Sequence, residues 1–149
     1  MSTVIRPATP ADEAAWRALW AEYLAFYDVT LPAEVSDATW RRVFAPDSAL
    51  GMLVAEVDGE MLGFALHLAH ESTWVATPDL YLEDLFVSEA ARGKGLGRKL
   101  IEGLIALGKE AGYSRLYWMT SKDNARARAL YDSFTPTDDH LRYRLSLRD

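Results

Sequence analysis

The chain has 149 residues, with 22 acidic against 16 basic side chains, a net charge of −6 and no cysteine. The length predicts one domain spanning residues 1–149, and the lack of cysteine excludes disulfides, thiol catalysis and cysteine-ligated metals. The acidic balance argues against sequence-independent nucleic-acid binding, and no apolar run reaches the roughly 18 residues of a membrane span. Because the first residues also lack a secretory signal, we expect a cytoplasmic protein whose partners include neither nucleic acid nor membrane.

The first part of the chain predicts a strand followed by two helices. Residues 3–8 predict the strand, and Thr9 followed by Pro10 is typical of a helix start. Large apolar side chains then recur at helical spacing and predict that one face of this helix is buried. They are Trp16, Leu19, Trp20, Tyr23 and Tyr27. Residues 36–44 predict a second, shorter helix.

A β-hairpin is predicted next. Residues 50–57 and 60–68 have the composition of strands, and Asp58 and Gly59 between them are the signal for a type I′ turn. The turn requires positive φ at both positions, which aspartate and glycine tolerate best. Residues 69–78 predict a connecting loop.

Two histidines near the end of this hairpin raise the question of a metal site. His67 and His70 are three residues apart on a strand end, where this spacing does not bring both rings together. A third ligand is also missing nearby, and zinc sites need at least three protein ligands. We therefore expect no metal.

The centre of the chain predicts a strand, a glycine-rich loop and a helix. Residues 81–87 predict the strand, and leucines at helical spacing predict a helix over residues 96–111. Between them, residues 92–97 contain three glycines, which allow a tight turn and a close approach to a ligand. Four cations cluster here in an otherwise acidic chain, namely Arg92, Lys94, Arg98 and Lys99. Together with the unpaired N–H groups of the helix start, they predict an anion site suited to phosphate.

The glycine spacing excludes two common phosphate motifs. The P-loop pattern G-x-x-x-x-G-K-[ST] is absent from the sequence. In the dinucleotide pattern G-x-G-x-x-G, a start at Gly93 would need glycine where Arg98 stands. A start at Gly95 would need glycine where Leu100 stands. A generic nucleotide-binding domain is therefore disfavoured.

The C-terminal part predicts two more strands and a helix. Residues 115–120 predict a strand and residues 124–134 a helix. An irregular polar stretch over 134–140 is followed by 141–147, where leucine and tyrosine alternate with polar residues as in a strand. The resulting order of elements predicts a mixed α/β sheet with helices on both faces.

Two stretches resemble the GNAT N-acetyltransferases. The first is Leu-Tyr-Leu-Glu-Asp-Leu-Phe-Val followed by Arg92-x-x-Gly95-x-Gly97, which is similar to the family's acyl-CoA pyrophosphate loop. The second is Tyr-Trp-Met-Thr followed by Asn124 and Tyr131, which is similar to its next strand–helix unit. The residues of these two stretches most resemble the histone, polyamine and amino-acid acetyltransferase branch of the family. The resemblance is sharp over residues 74–134.

The resemblance implies the GNAT fold: a mixed, mostly antiparallel sheet of six to seven strands, splayed at an acetyl-CoA slot. It also implies that acetyl-CoA is the cosubstrate and that no metal takes part. The strand edge would pair with the pantetheine arm, the loop would hold the pyrophosphate, and a later asparagine would hydrogen-bond the pantetheine. The residues so implied are Leu85, Phe86, Val87, Arg92, Gly93, Lys94, Gly95, Leu96, Gly97, Arg98 and Asn124.

Catalysis of acetyl transfer to an amine needs a base, oxyanion donors and an acid. Glu83 and Asp84 are candidates for the base because carboxylates are rare in central strands and costly to bury without use. Only one of them can face the slot directly, since successive side chains alternate. The resemblance favours Glu83, with Asp84 as the alternative. A backbone N–H of Leu85 or Phe86 would donate to the oxyanion, and the resemblance implies that Tyr131 is the acid.

The acceptor is not named by the sequence. The acidic composition favours a cationic primary amine, such as a polyamine, a lysine side chain of a peptide or a small molecule. Family members are often homodimers, so we expect one here. A non-catalytic acyl-CoA sensor is the alternative function, although a chain that keeps Glu83 and Tyr131 is not typical of one.

Overall fold

The computed structural model describes residues 2–148. Within this range the chain forms five strands and four helices, in the order β-α-α-β-β-β-α-β-α. The strands are β1 Thr3–Pro7, β2 Leu50–Val57, β3 Glu60–His70, β4 Asp79–Val87 and β5 Arg115–Trp118, and the helices are α1 Glu13–Phe26, α2 Ala33–Phe44, α3 Leu96–Ala111 and α4 Ala125–Asp132. The first turn of the helix predicted to start at Thr9 is a 3₁₀ turn over Pro10–Asp12, after which α1 begins.

The strands lie in sequence order in one sheet, β1-β2-β3-β4-β5. The first three pairings are antiparallel, and β4 pairs with β5 in parallel. The pairing of β4 with β5 is parallel because α3 returns the chain to the end of the sheet where β4 begins. At the predicted hairpin, Asp58 and Gly59 have φ of 51° and 85°, as a type I′ turn requires.

The expected strand count is wrong: the described residues form five strands, not six to seven. The predicted strand at 141–147 is absent from the structure described here. Its alternating side chains, Leu141, Tyr143, Leu145 and Leu147, are instead 83–93% exposed. Alternation marks a chain that could join a sheet, but a strand exists only when a neighbouring strand accepts its backbone hydrogen bonds.

One face of the sheet is covered by α1 and α2. Trp16 of α1 is fully buried, and its ring centroid lies 5.2 Å from that of Trp20 and 5.4 Å from that of Trp40 on α2. The sheet contributes inward-facing side chains to the same core, namely Met52, Val54, Phe64, Leu66 and Phe86. Of the face predicted from helical spacing, Trp16, Leu19 and Trp20 lie in this core and Tyr23 packs at its margin. The prediction is wrong for Tyr27, which is 48% exposed.

The other face is covered by α3, whose Leu100, Ile101 and Leu104 are fully buried. Two glycines sit inside this helix, where each costs about 1 kcal/mol relative to alanine. A Cβ at Gly103 would lie 2.9 Å from Ile5 Cγ2, so the bare backbone is needed for α3 to approach β1. A Cβ at Gly108 would make an ordinary 3.6 Å contact with Leu80.

A charged network joins β1 to the start of α1. The Arg6 guanidinium donates to both carboxylate oxygens of Asp12 at 2.8 Å and also pairs with Glu56 on β2. The Thr9 N–H donates to Asp12 at 2.7 Å. The Arg6 hydrogen bonds hold the pKa of Asp12 down to about 2, so this carboxylate is ionised at all ordinary pH values.

The chain divides into two compact units, one ending at Met119 and one beginning at Thr120. The first contains the whole sheet with α1, α2 and α3. The second contains α4, which is predicted from 124–134 and found over Ala125–Asp132, and the residues that follow it, which form neither helix nor strand.

We expect the two helix glycines to respond oppositely to alanine. Gly103→Ala should lower the free energy of unfolding by about 1 kcal/mol, because the overlap with Ile5 outweighs the gain in helix propensity. Gly108→Ala should raise it by up to about 1 kcal/mol, because it gains propensity without a clash. Urea unfolding of both variants tests this, and equal changes at the two positions would contradict it.

Candidate active site

Strand β4 contains an irregularity in its pairing with β3. Leu66 of β3 lies opposite Asp84, whereas the next residue of β3, His67, lies opposite Leu82. Glu83 is thus an extra residue on β4, as in a β-bulge. Because side chains alternate along a strand, one extra residue reverses which face the following positions occupy.

The reversal brings Asp84 to the face covered by α1. Before the bulge, Leu80 points toward α3, where it would contact a Cβ at Gly108. After the bulge, Phe86 belongs to the core beneath α1, and its ring centroid lies 5.5 Å from that of Tyr23. Even-numbered positions therefore change faces at the bulge, and Asp84 is the first of them to point toward α1.

Asp84 is half-buried and held by α1. The Tyr23 hydroxyl donates a hydrogen bond of 2.6 Å to Asp84 Oδ1. Burial raises the pKa of Asp84 to about 6, the Tyr23 hydrogen bond lowers it, and the charge of Glu83 raises it. A carboxylate with this pKa is mostly ionised at pH 7 and is a stronger base than an ordinary aspartate.

Tyr23 is itself fixed by packing. Four aromatic rings surround it at centroid distances of 5.1–6.0 Å, those of Trp20, Tyr27, Phe64 and Phe86. Burial, together with the nearby charge and hydrogen bond of Asp84, raises the pKa of Tyr23 above its ordinary value. The hydroxyl therefore keeps its proton and acts as a donor to the carboxylate.

Glu83 is exposed, unlike its neighbour. Its negative charge contributes to raising the pKa of Asp84, of Tyr23 and of Tyr117 on β5. Glu83 is therefore electrostatically coupled to groups on both sides, α1 and β5. The two adjacent carboxylates form one acidic pair at the bulge, one shielded and one open to solvent.

Strands β4 and β5 are paired over the first part of β4 but not along its whole length. Arg115 donates to both carboxylate oxygens of buried Asp79, at 2.9 and 2.8 Å, where the two strands begin. The registered pairing stops at Leu82 and Trp118. Residues 83–87 of β4 thus extend past the last registered pair with β5, and Leu85, Phe86 and Val87 lie in this part of the strand.

A second aromatic group lies on β3, β4 and β5. His70 Nδ1 lies 2.8 Å from the Glu71 carbonyl oxygen, and His70 Nε2 lies 2.7 Å from the Tyr117 hydroxyl. The carbonyl accepts a hydrogen bond from Nδ1, so in the neutral ring Nε2 accepts a hydrogen bond from the Tyr117 hydroxyl. The Tyr81 ring packs against that of Tyr117 at 4.7 Å.

Sequence reasoning did not identify Tyr23, Tyr117 or His70 as site residues. Tyr23 was indicated as part of an aromatic stripe, and its partner Asp84 lies 61 residues away. His70 and Tyr117 are 47 residues apart. No local pattern signals such pairs, because they arise from the sheet order.

The two histidines near the end of β3 have different surroundings. The His67 ring lies over Gly51, so close that a Cβ there would be 2.5 Å from it. Burial lowers the pKa of His67 to about 4, so the ring is neutral at physiological pH. Among residues 2–148 there is no group of three or more His, Cys, Asp or Glu side chains arranged to hold a metal ion.

The glycine-rich loop adopts the conformation that glycine permits. Gly93 and Gly95 have φ of 84° and 73°, and Gly95 is the N-cap of α3. Leu96 is buried and anchors the helix start. The Arg92 guanidinium lies 5.1 Å from the centroid of the Phe26 ring, which ties the loop to the end of α1.

The start of α3 is positively charged. Lys94, Arg98 and Lys99 are exposed, Gly97 is half-buried, and the first turn of the helix contains no acidic residue. The positive end of the helix dipole adds to these charges. The loop can therefore bind an anionic group through backbone N–H groups and cationic side chains.

The second unit carries the other two predicted site residues. Asn124 is the N-cap of α4, and its Oδ1 accepts a 3.2 Å hydrogen bond from the Ala127 N–H. Its side-chain NH₂ group is a separate donor. Tyr131 is half-buried on the same helix.

No helix in the described part of the chain is long and apolar enough to cross a bilayer.

Comparison with known proteins identifies relatives along most of the chain. The Acetyltransferase (GNAT) family profile matches residues 14–134. The D-amino-acid N-acetyltransferase HPA3 of Saccharomyces cerevisiae is 38% identical over 143 residues, which cover 95% of this chain and 89% of that protein. The mycothiol acetyltransferase of Beutenbergia cavernae is 30% identical, and the match covers 91% of this chain but only 45% of that protein.

A solved structure of AAC(6')-Iy with the bisubstrate analogue CoA-S-monomethyl-acetylneamine superposes with a TM-score of 0.83. The superposition covers 98% of this chain and 99% of that one. Because the two sequences are only 22% identical, the likeness supports the fold alone. The family profile and the 38% identical relative establish the family, because each match spans most of this chain. The chain therefore belongs to the GNAT family of N-acetyltransferases.

Proposed function

We propose that this enzyme transfers the acetyl group of acetyl-CoA to a primary amine by direct attack in a ternary complex. The observation that carries the proposal is the pair of carboxylates at the β4 bulge. Asp84 is half-buried with a pKa of about 6, and Glu83 beside it is open to solvent. Such a pair can attract a cationic amine and accept its proton near neutral pH.

The cosubstrate would bind across β4 and α3. The loop from Arg92 to Arg98, with its positive-φ glycines and cations, fits the pyrophosphate. The backbone of residues 85–87 on β4 fits the pantetheine amides, which would add to the sheet like a short strand. Asn124 would contribute a further hydrogen bond. Bound acetyl-CoA supplies an acetyl group activated as a thioester.

Proton removal is the first demand on the protein. A primary ammonium with a pKa of about 10.4 is about 4.6 kcal/mol away from its neutral form at pH 7. We propose Asp84 as the base, because it is shielded from water and held by Tyr23, and Glu83 as the charge that attracts the ammonium. The sequence resemblance favours Glu83 as the base and Asp84 as the alternative, so variants of both residues need testing.

The remaining steps use the backbone and a tyrosine. As the amine nitrogen bonds to the carbonyl carbon, negative charge develops on the carbonyl oxygen, and a backbone N–H of Leu85 or Phe86 would stabilise it. The C–S bond then breaks and the nitrogen releases its second proton to solvent, so that a neutral amide and the CoA thiolate form. Tyr131 would donate a proton or a hydrogen bond to that thiolate.

The acceptor is proposed to be a small cationic amine. HPA3 is named for D-amino acids, and its length closely matches that of this chain. Two adjacent carboxylates complement an ammonium group, which all such acceptors share. A screen of CoA-thiol release across D-amino acids, L-amino acids, polyamines and aminoglycosides tests this, and release with none of these amines would favour the acyl-CoA sensor instead.

Assembly and location stay predictions. We propose one catalytic domain over residues 1–149, a homodimer and a cytoplasmic location. The exposed alternating side chains of Leu141, Tyr143, Leu145 and Leu147 support self-association, because contiguous exposed apolar surface favours burial against a partner.

The glycine loop yields a binding prediction. Gly95→Ala should lower acetyl-CoA affinity by about tenfold or more, because alanine disfavours the positive φ that orients the loop. Gly59→Ala is the matched control, since it imposes similar backbone strain in the distant hairpin turn. Calorimetric titration measures both variants, and equal affinity for both would contradict the assignment of the loop.

The carboxylate pair yields a prediction with two readouts. Asp84→Asn should lower kcat/KM by about 10²–10⁴-fold near pH 7, and Glu83→Gln should lower it less. The raised pKa also means that folded Asp84 binds its proton more tightly than unfolded Asp84 does. Ionisation therefore costs stability above pH 6, and the cost disappears below about pH 4.

Asp84→Asn should accordingly raise the free energy of unfolding at pH 7 by up to about 3 kcal/mol and leave it unchanged near pH 4. Urea unfolding at the two pH values measures this. A larger kinetic loss in Glu83→Gln, with the acidic limb unmoved in Asp84→Asn, would assign the base to Glu83.

Tyr131→Phe should lower kcat by about 10²-fold with little change in acetyl-CoA affinity, since the interaction is made mainly in the transition state. Tyr143→Phe removes a hydroxyl from the same unit and serves as control. Single-turnover kinetics measures the effect, and a wild-type rate in Tyr131→Phe would show that water protonates the thiolate.

A further inference from the structure

We infer that Tyr23 is a positioning residue for catalysis: its hydroxyl donates a hydrogen bond to the Asp84 carboxylate, fixes its orientation and stabilises its charged form. This inference rests on the proposed role of Asp84 and extends it to a residue on another element. Tyr23 does not touch the reacting atoms in this scheme. It acts only through Asp84.

The geometry supports a fixed orientation. The 2.6 Å hydrogen bond joins α1 to β4 across 61 residues of sequence. Carboxylate hydrogen bonds of this length are strong, because the acceptor is charged. The Tyr23 ring is held by Trp20, Phe64 and Phe86, so the hydroxyl has little freedom to leave Asp84.

The bulge makes the contact possible. Without the extra residue Glu83, alternation would direct Asp84 toward α3 together with Leu80 and Leu82. With it, one Asp84 oxygen is bound by Tyr23, and the carboxylate keeps further acceptor capacity. One oxygen held by the protein and another that can accept a proton is the arrangement expected of an oriented base.

The charge environment shows what the hydrogen bond must oppose. Burial and the charge of Glu83 both raise the pKa of Asp84, and the Tyr23 hydrogen bond lowers it. From β3, the residue opposite Asp84 is apolar Leu66. On α1, Glu22 accepts hydrogen bonds from Ser88, and Tyr27 packs against Tyr23.

Of the three influences on the pKa of Asp84 among the described residues, the Tyr23 hydrogen bond is therefore the one that favours the ionised carboxylate. If its hydroxyl is removed, burial and Glu83 act unopposed. The proton then binds Asp84 more tightly, and a larger share of the enzyme is inactive at pH 6–7.

Tyr23→Phe is the direct test, because it keeps the ring and its packing. The pKa of Asp84 should rise by at least about 0.5–1 unit, the equivalent of one lost hydrogen bond of ordinary net strength. The acidic limb of kcat/KM should move to higher pH by the same amount. The ratio of wild-type to variant kcat/KM should be about 2–5 at pH 6 and fall toward 1 at pH 8.5.

The ratio of the two profiles cancels the titration of the amine substrate, which both enzymes share. Tyr27→Phe is the matched control, since it removes a neighbouring hydroxyl on the same helix, and its profile should coincide with that of wild type. In an Asp84→Asn background, adding Tyr23→Phe should produce no further pH-dependent change.

A second measurement does not need activity. Carboxyl ¹³C NMR of protein labelled in aspartate follows the titration of Asp84 directly in wild type and in Tyr23→Phe. A higher midpoint in the variant supports the inference. An unmoved midpoint, or a kinetic loss equal at every pH, overturns it and leaves Tyr23 as a core residue.

The two proposals fail separately. If no amine releases CoA thiol, the proposed function is wrong, while the NMR titration still decides whether Tyr23 controls Asp84. If acetyl transfer occurs and the titration is unmoved, only the inference about Tyr23 is wrong.

Discussion

The interruption of alternation on β4 is the constraint on which the candidate site depends. A regular strand would send Asp84 to the side of the sheet covered by α3, among leucines, where an ionised carboxylate is hard to accommodate. One extra residue at Glu83 reverses the alternation and turns Asp84 toward α1, which supplies Tyr23. The extra residue, Glu83, is itself exposed to solvent. A single local irregularity thus produces two adjacent carboxylates with different surroundings.

That arrangement sets stability against activity. Burial of Asp84 makes its carboxylate a better base and makes the folded protein less stable when the carboxylate is charged. The large aromatic core formed by Trp16, Trp20 and Trp40 provides stability that offsets this cost. Natural proteins often keep such unfavourable groups where function needs them. The Asp12–Arg6 pair behaves in the opposite way, since its hydrogen bonds stabilise the ionised form.

Other features also combine packing with function. The Arg115 clamp on Asp79 holds β4 and β5 together at their start, and the registered pairing ends at Leu82 and Trp118. Residues of β4 beyond Leu82, whose backbone is proposed to bind the pantetheine arm, therefore lie outside the registered pairing with β5. At the next turn, Gly93 and Gly95 shape the loop that precedes α3. The proposed binding groups and the contacts that support them thus follow one another along a continuous strand–loop–helix segment.

Sequence by itself determined those features that depend on local periodicity and turn chemistry. The spacing of leucines predicted α3 over residues 96–111, as found, and Asp58-Gly59 predicted the hairpin turn. The family resemblance is confirmed by the match over residues 14–134. The anion site predicted from the glycine and cation cluster stays a prediction. The assigned site residues stay predictions, to be decided by their variants.

Tertiary structure alone decided the features that depend on distant partners. Alternation at residues 141–147 predicted a strand that did not form among the described residues, because a strand also needs a neighbour to accept its hydrogen bonds. The choice between Glu83 and Asp84 as the shielded carboxylate was likewise open in the sequence, since a bulge is a property of two paired strands. Tyr23 had the pattern of a core tyrosine, and only the packing of α1 on the sheet brought its hydroxyl to Asp84.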